Sequence, residues 1–491
     1  CQASIEAALI EENRKCSPTQ LSKKEVLNIA RSIASYEPWG ATDDLHQTDL
    51  GNARCLVARH GDDLRHVAKS GTWLHYDGTR WAEDVTAEVV RLAKDTIAEL
   101  YAEAARQEDE EKRKALAKHA VRSESAQKIS AMVKLAESEI GIAIRHEDFD
   151  RDTHLFNVLN GTLDLKTGEL KPHRREDMIT RIAPVNYDPA ATCPTFDAFL
   201  LRIFDSNGDL ARFLQKAVGY ALTAATSEQV LFILWGTGAN GKTTLINILY
   251  EIMGDYATSA PPDVFLAHRK DSHPTGIADL EGRRLVGAVE VDEGSRLAEN
   301  FVKQMTGGDR AKGRKMRQDY QEFTPQFKPF LACNHLPVIR GQDLAIWRRI
   351  RLLPFTVTIP PEEQDRSLPD KLRAERPGIL RWAVEGCLAW QKEGLGTPPD
   401  VQVATESYRA EMDVISTFIE ERCVLKATAT VTKTALYEDF TRWAQQGGEY
   451  VLSKKKFGSR VMDHGFKDDR VGSNRFWTGI GLAAEPELRD V

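Results

Sequence analysis

LFILWGTGANGKTTLINIL, from Leu231 to Leu249, is a five-residue apolar run that feeds a glycine-rich turn and then a helical pattern. The run Leu231 to Trp235 reads as a buried strand, and GxxxxGK[ST] follows it from Gly236 to Thr243. Strand, loop and helix in that order are the context a phosphate-binding loop requires. Gly236, Gly238 and Gly241 let the backbone curl so that its amides face an anion at the positive end of the helix. Thr237, Ala239, Asn240 and Thr244 complete the expected cradle. Lys242 supplies a point charge for the β- and γ-phosphates and Thr243 a hydroxyl for the metal, so ATP and Mg2+ are the expected ligands. The bland alternative, a glycine-rich loop without function, has to produce both flanks by chance.

A nucleotide hydrolase also needs an acid at the end of a second buried strand. RRLVGAVEVDEG supplies one: Leu285 to Val289 is apolar and ends in Glu290, with Asp292 and Glu293 just beyond. Glu290 is the first choice for the metal-side carboxylate, with Asp292 and Glu293 left open for polarising water; at least one of the three is expected to be a plain surface turn. A third apolar run, FKPFLACNHLP, ends in Asn334, where an amide can contact a γ-phosphate or position water; the alternative is an Asn-His turn capped by Pro337.

Between these strands lies VKQMTGGDRAKGRKMRQDY, with Lys303, Arg310, Lys312, Arg314, Lys315 and Arg317 around paired glycines. The chain carries a formal net charge of -7, so a polyanion must be met by local basic segments, and this is the densest one. It is read as a hairpin or loop that grips a phosphate backbone rather than as a solvated turn. After the third strand, DLAIWRRIRLLPF presents Arg348, Arg349 and Arg351. An arginine reaching a neighbouring protomer's γ-phosphate would stabilise transition-state charge, with Arg349 and then Arg348 as candidates. Arg351 is expected to start a salt-bridged strand.

The 491 residues are 42% hydrophobic and 28% charged, an ordinary globular composition long enough for two to four cores. Seven cysteines are scattered, with no CxxC pair and no zinc spacing, which fits a reducing compartment. No run is apolar enough for a membrane span, and the opening residues lack the pattern of a signal peptide, so a cytoplasmic protein without membrane contact is expected.

Outside the core, SKKEVLNIARSIASYEP, Ser22 to Pro38, has the apolar spacing of one helix. GTWLHYDGTRWAED, Gly71 to Asp84, suggests a hairpin in which Trp73 and Trp81 either stack on bases or, the favoured reading, pack the hairpin. Thr86 to Ile144 is helix-rich and charged, with a solvated face around RQEDEEKRKALAKHA. LFNVLNGTLDLKTGEL reads as strands around a turn at Asn160 and Gly161 and a second at Lys166 to Gly168. Toward the end, ALYEDFTRWAQQ, KKKFGSRVMDHG and FKDDRVGSNRFWTGIGL give helix, basic helix and hairpin, the order of a winged helix.

The order GTGANGKT, AVEVDEG, TGGD, LACNHLP, WRRIRLLPF resembles the superfamily-three helicases of the AAA+ class, in particular the phage/plasmid and poxvirus-type primase-helicases. GTWLHYDGTRWAED, LFNVLNGTLDLKTGEL and FLQKAVGYALTA extend the resemblance over roughly Thr48 to Phe355. The departure is Glu-Val-Asp-Glu where two adjacent carboxylates are usual, which leaves the catalytic base open. The resemblance implies an α/β protein with an AAA+ type P-loop core at 191–358. A linker helix region (1–47) and a mixed helical and β domain (48–190) would precede the core, and a helical lid (359–400) and a winged-helix-like domain (401–491) would follow it. It also implies a ring, expected to be a hexamer, that moves 3' to 5' on single-stranded or forked DNA in phage or plasmid replication. The primase part is expected to be missing, since EDFDRD at Glu147 to Asp152 reads as a polar connector. A rival reading is an origin-binding initiator whose ATP site governs assembly, with Lys454, Lys455, Lys456 and Arg460 on its basic helix. A small-molecule kinase is a second rival, with little in the sequence to support it.

Overall fold

The computed structural model describes residues 46–267, 274–289, 291–292, 294–314, 320–341, 344–449, 451–471 and 474–483. The helix expected over Ser22 to Pro38 lies outside them. The chain divides into two compact units, one running to Arg151 and taking in Arg174–Thr180, the other formed by Asp152–His173 and Arg181 onward. The expected boundary at residue 190 therefore falls inside the second unit.

In the first unit, Thr48 caps α1 (Asp49–His60) by accepting a hydrogen bond from the Gly51 amide at 3.1 Å. Strands β1 (Leu64–Val67), β2 (Thr72–Tyr76) and β3 (Trp81–Glu83) form an antiparallel meander. Asp77 closes the β2–β3 turn by accepting from the Thr79 and Arg80 amides at 2.7 and 2.9 Å. Trp81 is 1% exposed, donates its indole N–H to the Arg175 carbonyl at 2.9 Å and lies under the Arg65 guanidinium, so it packs the hairpin and offers no face to a base. Trp73 is half-buried beside His66. Helices α2 (Glu88–Arg106), α3 (Glu110–Ser123) and α4 (Ala126–Ala136) follow, and a short β4 (Ala143–Ile144) pairs parallel to β1. In α3 only Ala120 and Ser123 are buried, as expected of a solvated helical face.

The second unit opens with an antiparallel sheet of β5 (Leu155–Val158), β6 (Gly161–Asp164) and β7 (Glu169–Lys171). Here the turn falls one residue earlier than the Asn-Gly pair suggested. Gly161 already pairs with Val158, and a Cβ there would lie 2.4 Å from the Lys171 carbonyl oxygen, so its glycine serves close strand approach. Helices α5 (Pro194–Ile203) and α6 (Gly208–Leu222) lead to β8 (Leu231–Trp235), then α7 (Lys242–Met253), β9 (Ala257–Ser259), the short α8 (Pro274–Ala278) and β10 (Leu285–Val289). After α9 (Glu299–Gly307) come the hairpin β11 (Ala311–Arg314) and β12 (Tyr320–Phe323), β13 (Lys328–Cys333), the short α10 (Leu344–Trp347) and β14 (Ile350–Pro354).

Five of these strands form one parallel sheet in the order β14-β8-β13-β10-β9. Near-continuous apolar runs suit a sheet covered on both faces, and every residue of β13 is buried. Phe232 and Phe330 stack across the β8–β13 pair at 4.7 Å. After α11 (Leu368–Ala374), helix α12 (Arg376–Glu393) packs on α6 through glycines. A Cβ on Gly219 would lie 2.0 Å from the Cys387 amide nitrogen, and one on Gly386 2.1 Å from the Gln215 carbonyl oxygen.

Beyond α13 (Pro399–Glu411), the last part holds α14 (Val414–Arg422), β15 (Cys423–Thr432), α15 (Lys433–Gln446), α16 (Lys454–Asp463), β16 (Lys467–Val471) and β17 (Asn474–Leu482). The two helices and the hairpin were legible. Strand β15 was not anticipated, although its alternation of β-branched and small residues in CVLKATATVT carries the signal. The sheet order is β15-β17-β16, over a core that includes Phe418, Phe440, Phe457 and Trp477. Among the described residues no helix is long and apolar enough to cross a membrane, and Cys55, Cys193, Cys333, Cys387 and Cys423 are free thiols.

Candidate nucleotide site

Residues Gly236 to Gly241 link the carboxyl end of β8 to the amino end of α7. Gly238, Ala239 and Gly241 have φ of +112°, +47° and +83°, the sign changes that turn successive amides to one side. Gly236 is required for another reason. A Cβ there would lie 2.2 Å from the Phe355 carbonyl oxygen and 2.3 Å from Asn240 Nδ2, so the loop is pressed against the chain leaving β14.

The loop encloses a cavity of about 300 Å³ lined by residues 238–244 together with Val289, Ala332 and Asn334. Gly236 is buried and Thr237 exposed, and neither lines this cavity. Lys242 is 5% exposed, and its Nζ donates to the Gly236 carbonyl at 2.7 Å, Asn240 Oδ1 at 2.8 Å and Asn334 Oδ1 at 3.1 Å. Burial lowers its pKa from the ordinary lysine value. Burial pushes the thiol of the neighbouring Cys333 up to about 12, so it stays neutral. Asn240 is fixed in turn by donating to the Phe355 carbonyl at 3.3 Å.

Three separate stretches therefore meet in one place: the glycine loop, the end of β10 at Val289 and the end of β13 at Asn334. Glu290 and Glu293 lie outside the described residues, and Asp292 is exposed. Thr243 is exposed at the cavity rim. Among the described residues no cluster of three or more His, Cys, Asp or Glu side chains could hold a metal. A magnesium ion here would draw on the Thr243 hydroxyl and on phosphate oxygens, the sparse protein ligation Mg2+ accepts. The residues fit a polyphosphate: a buried ammonium whose hydrogen-bond partners among the described residues are neutral oxygens, and curled backbone at the amino end of a twelve-residue helix.

The basic segment forms the β11–β12 hairpin, in which Lys312 pairs across from Glu322. Lys312 Nζ lies 3.0 Å and Arg310 Nη1 3.6 Å from the Glu322 carboxylate, while both cations stay exposed. They hold the Glu322 carboxyl below the usual carboxylate range. Lys303 is half-buried on α9, Arg314 ends β11, and Lys315 and Arg317 lie outside the described residues.

Arg348 and Arg349 sit at the opposite end of the sheet from the loop. The register places Ile350 beside Leu231 and Pro354 beside Trp235, which separates the arginines from the chain's own Gly236 by about 20 Å of strand. The two arginines differ in accessibility. Arg349 is 7% exposed, with Nε donating to Thr306 Oγ1 at 3.0 Å and Nη2 to Gln229 Oε1 at 3.4 Å. Arg348 is exposed and donates to the same Gln229 oxygen at 3.1 Å. Arg351, expected at a salt-bridged strand start, has no ion pair among the described residues; it donates to the Arg348 and Ile350 carbonyls at 2.8 and 3.0 Å. Neither Thr306 nor Gln229 was singled out from the sequence, and their polar character alone gives no signal.

Residues 53–205 match the family described as D5 N terminal like, and residues 410–474 the family described as Poxvirus D5 protein-like. Over 424 residues the chain is 26% identical to "Putative helicase L207/L206" of Acanthamoeba polyphaga mimivirus, covering 76% of this chain and 43% of that protein. It is 23% identical to "Putative primase C962R" of African swine fever virus over 326 residues, 61% of this chain and 34% of that protein. Its similarity is to the D5-type primase-helicases. The chain is also 29% identical to "Putative helicase 022R" of Frog virus 3 over 54% of its length and 29% of that protein. It thus spans less than half the length of these relatives. Among solved structures, the apo NrS-1 C terminal region superposes with a TM-score of 0.49 at 10% identity, covering 89% of this chain and 100% of that one.

Proposed function

We propose that this chain is the ATP-driven DNA helicase portion of a D5-type primase-helicase, an AAA+ motor of superfamily three that works as a ring, a hexamer in our reading, moving 3' to 5' on single-stranded DNA. The observation that carries it is the meeting of Lys242 Nζ and Asn334 Oδ1 at 3.1 Å over a glycine-lined cavity. The parallel sheet, with its phosphate-loop strand between the Asn334 strand and the arginine-bearing strand, supports the AAA+ assignment. The helicase and primase names carried by the viral relatives support replication as the setting.

In this reading, ATP with Mg2+ supplies the scissile phosphoryl bond and a metal that offsets charge on the phosphate oxygens. Lys242 exchanges its loop acceptors for phosphate oxygens, and the residue 238–243 amides bind the same anion. Thr243 and Glu290 are the metal-side ligands, Asp292 or Glu293 orients the attacking water, and Asn334 reports on the γ-phosphate. The arginines lie too far along the sheet to serve the chain's own loop, which supports action on a neighbouring protomer. Arg348 reaches outward at less cost, whereas Arg349 must first leave Thr306. Lys303, Arg310, Lys312, Arg314 and Lys315 grip the DNA backbone.

A second reading, an ATP-regulated origin-binding initiator, is favoured by exposed Lys454, Lys455 and Lys456 on α16 within a winged-helix-like arrangement. Displacement of a labelled strand from forked DNA distinguishes them. ATP-dependent displacement that is lost in Lys242→Ala is the expected result. ATP hydrolysis without any displacement favours the initiator, and failure to bind ATP overturns both.

A further inference from the structure

Helix α9 joins two parts of the second unit whose roles have so far been treated separately. At its amino end, Glu299 Oε1 accepts from the amides of Arg340 and Gly341 at 2.9 and 2.8 Å, and so holds the loop that follows Asn334. At its carboxyl end, Thr306 is 3% exposed and donates its hydroxyl to the Val302 carbonyl at 2.7 Å. With its proton so committed, Thr306 Oγ1 faces Arg349 as an acceptor and takes the Nε–H at 3.0 Å. Five residues on, past the left-handed Gly308 at φ +83°, the basic hairpin begins at Ala311. The last turn of α9 is thus both the root of the hairpin and the anchor of the Arg349 guanidinium.

We propose that Thr306 is a positioning residue that couples the basic hairpin to Arg349, so that DNA held by the hairpin changes the placement of the arginine relative to the neighbouring protomer's nucleotide. The inference rests on the motor reading above. A hairpin pulled along by DNA moves its root, and a helix end moves as a rigid turn rather than residue by residue. The buried hydroxyl transmits that displacement because a hydrogen bond to a charged donor is costly to break in a site closed to water. Glu299 carries the same displacement to the loop after Asn334, which places both ends of the nucleotide response on one helix.

The test compares Thr306→Val, which keeps the shape and removes the oxygen, with Thr306→Ser, which keeps the oxygen, in the full chain. The quantity read is the ratio of ATPase rates with and without a saturating single strand, together with the Kd for that strand and the melting temperature. The expected result is a fall of that ratio toward one in Thr306→Val at unchanged strand Kd, with recovery in Thr306→Ser. Wild-type stimulation in Thr306→Val overturns the proposal while leaving the motor reading intact. An equal loss of ratio in both variants, or a loss that tracks melting temperature, also overturns it, because either outcome assigns Thr306 a packing role alone. Absence of any DNA stimulation in the wild-type chain is instead a failure of the motor reading, and that control is run first.

Discussion

Lys242 Nζ and Asn334 Oδ1 stand 3.1 Å apart, although 92 residues separate them in the chain. The amine sits at the amino end of α7 and the amide just past β13, so one hydrogen bond ties the phosphate loop to the neighbouring strand. Replacing Lys242 by Ala should leave the fold intact and lower ATP turnover by about 10² to 10³-fold, the scale for removing one charged stabiliser of a transition state. Asn334→Ala should lower kcat by roughly 10²-fold with a smaller change in KM. Steady-state ATPase assays with circular dichroism on each variant check both, and wild-type turnover in Lys242→Ala would remove the site.

The hairpin carries its own restraint in Glu322, whose carboxylate is paired with Lys312 and Arg310. Glu322→Gln should tighten binding of a single strand severalfold and steepen its salt dependence, since two cations are released to phosphates. Removing Lys312, Arg314 and Lys315 together should do the reverse and flatten the salt slope by up to about two units. Fluorescence anisotropy titrations at several salt concentrations measure both. Identical slopes in all three proteins would show that DNA binds elsewhere.

Because the arginines lie at the far end of the sheet from the chain's own loop, their effect should appear only between protomers. Lys242→Ala and the double variant Arg348→Ala, Arg349→Ala should each be inactive alone. Mixed in equal amounts, they should regain hydrolysis at about a quarter of their head-to-tail interfaces. A mixture as inactive as its parts contradicts action in trans.

Lys328 is fully enclosed at the start of β13, where its Nζ faces the carbonyls of Thr223, Ala225 and Gln326 and lies over the Tyr220 ring. Burial, with Arg284 close by, lowers its pKa well below the ordinary 10.5. The unfolded chain therefore binds the proton more tightly. Unfolding takes up a proton between the two values, so stability rises with pH from the lowered pKa up to 10.5, by about 1.4 kcal/mol per pH unit at most. Below that window the contribution of the neutral amine is lost. Urea midpoints compared for wild type and Lys328→Met should show this slope as the difference between them; parallel pH profiles would contradict it.

The Gly219 approach to Cys387 leaves no room for a methyl group. Gly219→Ala must push α6 away from α12 and should destabilise the second unit by about 1–3 kcal/mol, despite alanine's better helix propensity. Denaturant unfolding measures it, and a gain in stability would show that the two helices do not pack this closely.

Much of the parallel-sheet core was open to reading from local pattern. Leu231–Trp235, Leu285–Val289 and Lys328–Cys333 stand out because strands buried on both faces need unbroken apolar runs. The glycine loop was visible because its spacing answers a backbone requirement that each residue meets by itself. Strand β15 escaped notice because six of its ten residues are exposed, so its alternation carries little apolar contrast.

By itself the sequence determined the glycine-rich loop, the apolar strands around it and the basic segment between them, since each depends on residues a few positions apart. The tertiary structure alone decided the order in which those strands lie side by side, and with it the contact of Lys242 with Asn334 and the distance of Arg349 from its own loop. It also decided that Arg349 is held by Thr306 and Gln229. Parallel pairing joins segments through backbone groups that every residue possesses, so side-chain pattern leaves the partner of each strand open until the chain has packed.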